Sequence, residues 1–414
     1  MPISQKKDIS AKSSLISAFL VHLFVEIPYF IFPVLVLVVG EDLNLGEFMW
    51  IGLGSIGTIG ALAAGLPAPL VGWFSDRSRR GMMMCLSLIL SALGAFIIGL
   101  SDSSLVITIF SFGLIGLGVG LYHPPGLSWV ASAFKDEENG GYSSYINRIL
   151  GVHGVGGTIG SAVGPISVFF LLNIMNWRQI YLLWSFPLFL LSLLFWVFVA
   201  RFESPREKEN NIHVKNESTN FRIKLKSNIS PTMLIIFVFM VLMSLTWGMV
   251  SFVLAPFLSE VKGFDISHAA LFIGVSHLFG ASGQLLGGVM ADKYTEKVAL
   301  LFASALQGVV ILGIYILNPP AVLFALYMIL FIVNAIFWPT TNSFLAKNTT
   351  QIGSAFGGFM LTVNVVRAAG PTIDGFLITL NPSNYLLIFV FAVIFSIAAF
   401  LTLTMVKGKS DFSS

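Results

Sequence analysis

Eight ionisable side chains interrupt stretches of the sequence that are otherwise almost entirely apolar. They are His22, Glu26, His123, Arg148, His153, His277, Arg367 and Asp374. Each stretch is long enough to cross a lipid bilayer. A charge in hydrocarbon is costly, so residues of this kind usually face a cavity, a partner or a pathway. These positions are therefore the first candidates for function.

Glu26 offers the chemistry of a proton carrier. It lies four residues after His22, on the same face of a predicted helix. Burial disfavours a charged carboxylate, and an imidazole titrates near neutrality, so the pair could take up and release a proton. His123, beside Pro124, is a second candidate relay. Two alternatives stay open: Glu26 could pair with a cationic substrate or bond a neighbouring helix, and His123 could satisfy carbonyls freed by the proline.

The two arginines suggest an anion site, because the planar guanidinium binds carboxylates and phosphates through paired hydrogen bonds. Arg367 shares one helical face with Asn364 and Asp374, so an ion pair between Arg367 and Asp374 is the alternative. His153 follows Arg148 by five residues and is expected on another face. The predicted substrate-binding residues are Arg367, Arg148, Asn334, Trp338, Asn364, His277, Gln284 and Trp247, although helix packing explains any one amphipathic member equally well.

The composition identifies the elements that must position these residues. Of 414 residues, 56% are hydrophobic and 10% are charged, whereas soluble domains carry about 25% charged residues. A spanning helix needs about 20 apolar residues, and twelve segments qualify: 13–39, 47–74, 81–100, 104–134, 141–172, 177–201, 231–259, 266–291, 297–317, 320–346, 352–379 and 384–406. We therefore expect a multi-pass membrane protein.

The distribution of basic residues predicts the orientation. Of the 23 Lys and Arg residues, 19 fall on the side that would hold both termini, and only Arg178 and Lys262 fall on the other. Because cytoplasmic loops are enriched in Lys and Arg, both termini are expected in the cytoplasm, with the protein in the cytoplasmic (inner) cell membrane. The net charge of +3 then reflects this anchoring and indicates no nucleic-acid partner.

The chain is built from two similar halves. The segment from Gly72 to Arg77 is echoed by Gly288–Lys293, 216 residues later, and Tyr122-His123-Pro124 by Phe337-Trp338-Pro339. Matching landmarks at a near-constant offset indicate duplication. We expect an all-α membrane protein of two pseudo-symmetric six-helix bundles, 13–201 and 231–406. A charged linker, 202–230, would join them, with cytoplasmic termini at 1–12 and 407–414.

Several classes of function are not expected from the motifs. The Gly156 to Gly160 run follows no strand, so it is not a nucleotide loop. The histidines show no metal-ligand spacing along the chain, and Cys85 is the single cysteine. We therefore expect no cofactor, no metal and no enzymatic activity.

The loop after the second span resembles the signature of the major facilitator superfamily. Gly72, Asp76, Arg77, Arg79 and Arg80 match that signature, and Asp292 belongs to its second, degenerate copy. Further motifs are similar to the fosmidomycin-resistance-type branch of drug exporters. These are His22-x-x-x-Glu26, Gly118 to Gly126 around His123, and Gly156-x-x-x-Gly160-x-x-x-Gly164-Pro165.

The resemblance implies roles for these residues. Asp76 would contact the N-terminus of the eleventh span near Gly353–Phe356, while the three arginines would engage acids such as Asp136–Glu138. Together with Asp292 they would latch the outward-open state. Positive-inside anchoring alone is the alternative. Gly156, Gly160, Gly164 and Pro165 would form a helix-packing motif.

The expected function is secondary active transport of a small molecule by alternating access, with proton-coupled export (antiport) as the leading form. The alternative is a proton-coupled importer of an organic anion that uses Arg148 and Arg367. A non-transporting membrane sensor is a remote third. The expected partners are a small-molecule substrate, protons and the lipid bilayer, and the protein is expected to be a monomer.

Overall fold

The structure is a computed structural model that describes residues 10–77, 79–134, 145–200, 231–347, 352–381 and 385–406. The predicted linker 202–230, the acids Asp136–Glu138 and the segment 407–414 lie outside these residues. The described part is all-α. Its thirteen helices are α1 Ala11–Leu43, α2 Met49–Gly65, α3 Ala68–Ser75, α4 Arg80–Leu100, α5 Leu105–Ala133, α6 Ile146–Leu171, α7 Trp177–Phe198, α8 Pro231–Glu260, α9 Ile266–Lys293, α10 Glu296–Ile316, α11 Pro320–Lys347, α12 Ile352–Leu380 and α13 Leu386–Thr404.

The thirteen helices make twelve membrane-length segments. The second predicted span is divided into α2 and α3 at Leu66–Pro67, because proline cannot donate the backbone hydrogen bond that would continue α2. Eleven segments are long and apolar enough to cross a bilayer. The twelfth is α12, which carries Arg367 and Asp374. The predicted all-α fold is confirmed, and the span outside this set of eleven holds two of the residues singled out for function.

Polar side chains at the helix starts satisfy backbone N–H groups that have no partner within the helix. Ser10 accepts from Ser13 at α1, and Asp265 accepts from His268 at α9. Asn176 begins α7 with a reciprocal capping box. These residues fall in the short polar loops between apolar stretches, so the sequence locates both the spans and their ends.

The two halves repeat the same helix pairs. In the first half α1 packs on α6, and α4 packs on α5 and α7. In the second half α8 packs on α12, and α10 packs on α11 and α13. The duplication read from two pairs of sequence landmarks therefore agrees with the packing of the described helices.

The halves meet along two seams, α2–α3 against α12 and α6 against α9. We call the end with Arg77 and Lys293 the basic face and the end with Arg178 and Lys262 the opposite face. Near the basic face a Cβ on Gly72 would lie 2.1 Å from the carbonyl oxygen of Gly353. The helices at this contact therefore touch backbone to backbone.

The same seams are packed near the opposite face. A Cβ on Gly54 in α2 would lie 2.4 Å from the carbonyl oxygen of Pro371 in α12. The rings of Phe169 in α6 and His268 meet edge to face, 5.5 Å between centroids. The halves thus touch near both the basic face and the opposite face.

Candidate functional site

The central cavity occupies about 110 Å³ between the halves. Seven of the eight predicted substrate-binding residues line it, and so do the three predicted proton-coupling residues. The lining includes His22, Glu26, His123, Trp247, His277, Gln284, Asn334, Trp338, Asn364 and Arg367. The structure therefore brings together residues that are spread over more than 340 positions of the chain.

Glu26 is at the centre of a cluster of ring side chains. Its Oε1 atom lies 3.5 Å from Nε2 of His22 and 3.2 Å from Nε2 of His123. Glu26 and His22 are both buried. His22 and Glu26 lie one helical turn apart on α1. His123 belongs to α5, where it immediately precedes the Pro124-Pro125 pair.

His153 extends this cluster, although its spacing from Arg148 gave no sign of it. Its carbonyl oxygen accepts from Nδ1 of His22 at 3.3 Å. Its Nε2 lies 2.6 Å from the hydroxyl of Tyr122, which donates to the carbonyl of Ala18 at 2.7 Å. Because a hydroxyl has one proton, His153 must donate to Tyr122 through Nε2–H.

The same count of hydrogen-bond donors and acceptors fixes the positions of the protons on His22. A carbonyl oxygen can only accept, so Nδ1 of His22 carries a proton when it bonds the carbonyl of His153. In a neutral ring Nε2 is then a bare acceptor, yet it faces Oε1 of Glu26, another acceptor when ionised. The pair is therefore attractive only if a further proton is shared between His22 and Glu26.

The cluster corrects the expectation that no metal-ligand arrangement exists. One ligand atom each from His22, Glu26 and His123 lie within 4.8 Å of one another. Three helical positions that are scattered along the sequence thus converge in space. This trio could hold a metal ion, but hydrogen bonding between the carboxylate and the imidazoles already accounts for the arrangement.

Arg367 lines the opposite wall, in α12. No carboxylate lies within 4.0 Å of its guanidinium among the described residues, and in particular Asp374 does not pair with it. Asp374 is fully buried, and neither of its oxygens has a hydrogen-bond partner in the described part of the chain. The alternative of an Arg367–Asp374 ion pair is therefore wrong for this conformation.

Aromatic rings and amides surround Arg367. The ring of Phe331 lies 4.3 Å from that of His277 and 5.3 Å from that of Trp247, both edge to face. Gln284 donates to Thr158 of the other half at 3.3 Å. The wall thus combines one cation with neutral hydrogen-bonding groups and flat apolar surfaces.

Arg148 lies away from the cavity, contrary to its predicted contact with substrate. Its Nε atom is 3.0 Å from Oδ2 of Asp292, and its side chain is half exposed. Asn147 donates to Oδ1 of the same carboxylate at 2.5 Å. The physical reason is depth, because Arg148 lies on the first turn of α6, at the basic face. It joins α6 to α9 across the seam.

Asp76 lies at the N-terminus of α12. Its oxygens accept from the backbone N–H groups of Gly353 at 2.8 Å and Ser354 at 2.9 Å, and from the Ser354 hydroxyl at 2.7 Å. Unpaired N–H groups and the helix dipole favour an anion there. The contact crosses between the halves, as the resemblance implied, whereas its role as a latch stays a prediction.

Arg77 and Arg80 each donate a hydrogen bond to a carbonyl oxygen of α3 in their own half. Nη1 of Arg77 donates to the carbonyl of Trp73, and its guanidinium lies 4.4 Å from that ring. Nε of Arg80 donates to the carbonyl of Ser75, and Arg79 precedes α4. Their predicted acidic partners lie outside the described residues.

The glycine motif of α6 packs within the first half. Cβ atoms on Gly156, Gly160 and Gly164 would lie 2.0–2.6 Å from carbonyl oxygens of α1. The motif therefore brings α6 against α1, close enough for His153 to reach His22. Pro165 lines a second, apolar cavity.

Comparison with known proteins agrees with this architecture. The sequence profile of the Major Facilitator Superfamily matches residues 15–371. An uncharacterized MFS-type transporter of Bacillus subtilis, YfnC, is 25% identical over 239 residues, which cover 56% of this chain and 54% of that protein. The match thus spans about half the length of this relative.

Two solved structures share the fold. The human organic anion transporter MFSD10 (TETRAN) is 17% identical with a TM-score of 0.68, covering 95% of this chain and 99% of that one. A bacterial homologue of the human lysosomal transporter Spinster, inward-facing and unoccupied, is 15% identical with a TM-score of 0.68, covering 96% and 98%.

Two six-helix halves around a central polar cavity define a multi-pass membrane protein. The chain belongs to the major facilitator superfamily.

Proposed function

We propose that the protein is a proton-coupled secondary transporter of a small organic anion. The two halves rock about the central cavity, Arg367 binds the anion, and the His22–Glu26–His123 cluster carries the proton. We place it in the cytoplasmic membrane with the basic face inside. The observation that carries the proposal is the contact of His22 with Glu26, which is attractive only when the two side chains share a proton.

Arg367 supports the anionic substrate. The guanidinium of Arg367 is partly buried and has no carboxylate partner among the described residues. Loss of hydration around an unpaired charge is costly, and an anion between Arg367 and the neighbouring amides would offset that cost. A lipophilic cation would be repelled by the same group. Neither arginine at the basic face, Arg77 or Arg148, is needed for this site.

The resemblance to drug exporters implies export by antiport. The glycine motif of α6 supports export only through that resemblance.

A second candidate, symport, is favoured by the charges that face Glu26. Those groups are His22 on its own helix, Tyr122 and His123 on α5, His153 on α6, His277 on α9 and Arg367 on α12. With ionised Glu26 opposite Arg367 the fixed charges cancel, so an incoming anion leaves one negative charge uncompensated. Protonation of Glu26 removes it, which favours binding of proton and anion together, as in symport.

The test is transport by purified protein in tight liposomes that contain a pH-sensitive dye. Adding candidate organic anions under an imposed proton gradient should move protons, and the sign of that movement separates antiport from symport. Cationic drugs and sugars serve as controls. Proton flux driven only by cationic compounds would reject the anion site, and substrate flux without proton movement would reject the coupling.

A further inference from the structure

A second cavity adjoins the first on the side of the opposite face. We call it the apolar chamber, and its walls include Phe32, Ala61, Phe112, Phe252, Leu254 and Pro371. It occupies about 60 Å³. Phe252 meets the ring of Trp50 edge to face, and Pro371 touches Gly54 at the seam. The chamber therefore lies between the central cavity and the contacts that close the opposite face.

The two spaces share a boundary. Tyr29, Phe30, Trp247, His277, Phe331 and Arg367 line both of them. Arg367 is the only fixed charge among the described residues that line the chamber, and the remaining walls are almost entirely apolar. The only other polar side chain in the chamber beyond this boundary is the hydroxyl of Ser251.

This arrangement has a chemical consequence. A negatively charged group is favoured beside Arg367, on the side of the central cavity, where amides and the cluster around Glu26 lie. An apolar group belongs on the other side, where it is removed from water without losing hydrogen bonds. One molecule that satisfies both must have its anionic head at one end and its apolar body at the other.

We propose that the apolar chamber is the subsite for the apolar body of an amphipathic organic monoanion whose head binds Arg367. The substrate would lie with its body directed toward the opposite face. This inference rests on the proposed function, because it needs Arg367 as the anion site. It adds the shape and polarity of the substrate and the direction in which it lies.

The test is a homologous series of straight-chain carboxylates, from acetate to decanoate, with purified protein in nanodiscs. Direct binding is measured by calorimetry. Each methylene that enters the chamber should tighten binding about fourfold, until the chamber is full and the affinity stops rising. Alkylammonium ions of the same lengths should not bind.

Two variants that fill the chamber from different helices keep the test independent of one folding defect. Ala61→Leu in α2 and Ser251→Leu in α8 should each weaken binding of the long carboxylates at least tenfold and leave acetate unchanged. Ala63→Leu, on the same helix as Ala61 but lining neither cavity, is the matched control. Partition of long chains into lipid is equal for all four proteins and cancels in the comparison.

The outcomes separate the two proposals. If binding needs Arg367 but is the same for all chain lengths, or if the filled variants bind decanoate as the parent does, the chamber is not a subsite. If no carboxylate binds, or if Arg367→Gln binds them equally well, the anion site itself fails and the proposed function with it.

Discussion

The two halves share their helix packing but divide the chemistry between them. In the first half the cavity wall is a connected network in which His22, Glu26, His123 and His153 contact one another or each other's backbone. In the second half the wall is one cation, Arg367, which has no ion-pair partner among the described residues and lies among amides and aromatic rings. The duplicated scaffold thus gives one half groups that can share a proton and the other half a group that can bind an anion.

Equivalent positions illustrate the division. The residue before the proline is His123 in α5 and Trp338 in α11, and both line the cavity. The peripheral structure has diverged much less. Asp42 at the end of α1 pairs with Arg178 at the start of α7. Glu260 at the end of α8 accepts from Tyr385, which precedes α13.

The largest expected effect comes from removing the proton site. Glu26→Gln keeps the shape but cannot ionise, so gradient-driven accumulation of substrate should fall to background while binding of the anion persists. Accumulation is measured in liposomes with an imposed proton gradient. Glu260→Gln, a carboxylate of the second half outside the cavity, is the control and should transport normally. Full accumulation by Glu26→Gln would remove Glu26 from the mechanism.

Substitution of Arg367 tests the proposed anion site of the second half. Arg367→Gln should weaken anion binding roughly 10- to 100-fold, because charge-assisted hydrogen bonds contribute about 1.5–3 kcal/mol. Arg367→Lys should restore part of the affinity, since it keeps the charge but loses the planar fork. Binding is measured by calorimetry. Unchanged affinity in both variants would contradict the assignment of the anion to the second half.

The contact that ties the halves together gives a smaller effect. Asp76→Asn weakens three hydrogen bonds at the N-terminus of α12 and should destabilise closure of the basic face by about 1–2 kcal/mol. The distance between spin labels at the basic ends of α3 and α12 reports the change, after Cys85, the single cysteine, is replaced. Asp42→Asn, which breaks a pair within one half, should leave the distance distribution unchanged. The same shift in both variants would make the effect non-specific.

The hydrogen bonds of Tyr122 that support the His22–Glu26–His123 cluster should affect the maximal transport rate least and the pH dependence of transport most. Tyr122→Phe removes the hydroxyl that binds His153 and Ala18, at a cost of about 1 kcal/mol. The pH profile of transport should move because His153 loses its fixed tautomer, whereas maximal rate changes little. Ser167→Ala, which removes a hydroxyl of α6 bound to Trp184 within the same half, is the control. An unmoved profile would limit Tyr122 to packing.

A final contact concerns the seam near the opposite face. Hydrogen bonds from the backbone and side chain of His268 lower the pKa of the Asp265 carboxyl below its ordinary 3.8. The ionised Asp265 carboxylate therefore stabilises the folded protein. This stabilisation is present above the ordinary pKa and is lost as pH falls through the lowered pKa. Asp265→Ala should therefore reduce the unfolding temperature slightly at pH 7, and the difference from the parent should shrink as pH falls through the lowered pKa of Asp265. A difference that persists in acid would contradict this.

The sequence alone located the spans and ten of the residues that line the cavity, because both follow from periodicity. Trp247, Gln284 and Asn364 are polar or amphipathic residues at helical spacing in apolar helices, so few faces could hold them. It named His153 as a candidate but did not place it beside His22, since the partner of a lone histidine is set by which helix packs against it. Arg148 was placed wrongly because depth along α6 depends on where the helix begins.

If the proposed function is correct, binding of an anion at Arg367 is energetically coupled to binding of a proton at Glu26. Purified protein in weakly buffered solution with a pH indicator is mixed with a saturating organic anion, and the protons exchanged per protein are counted. We expect exchange of about one proton by the parent and none by Glu26→Gln, with uptake indicating symport and release indicating antiport. Anion binding without proton exchange in the parent would contradict it.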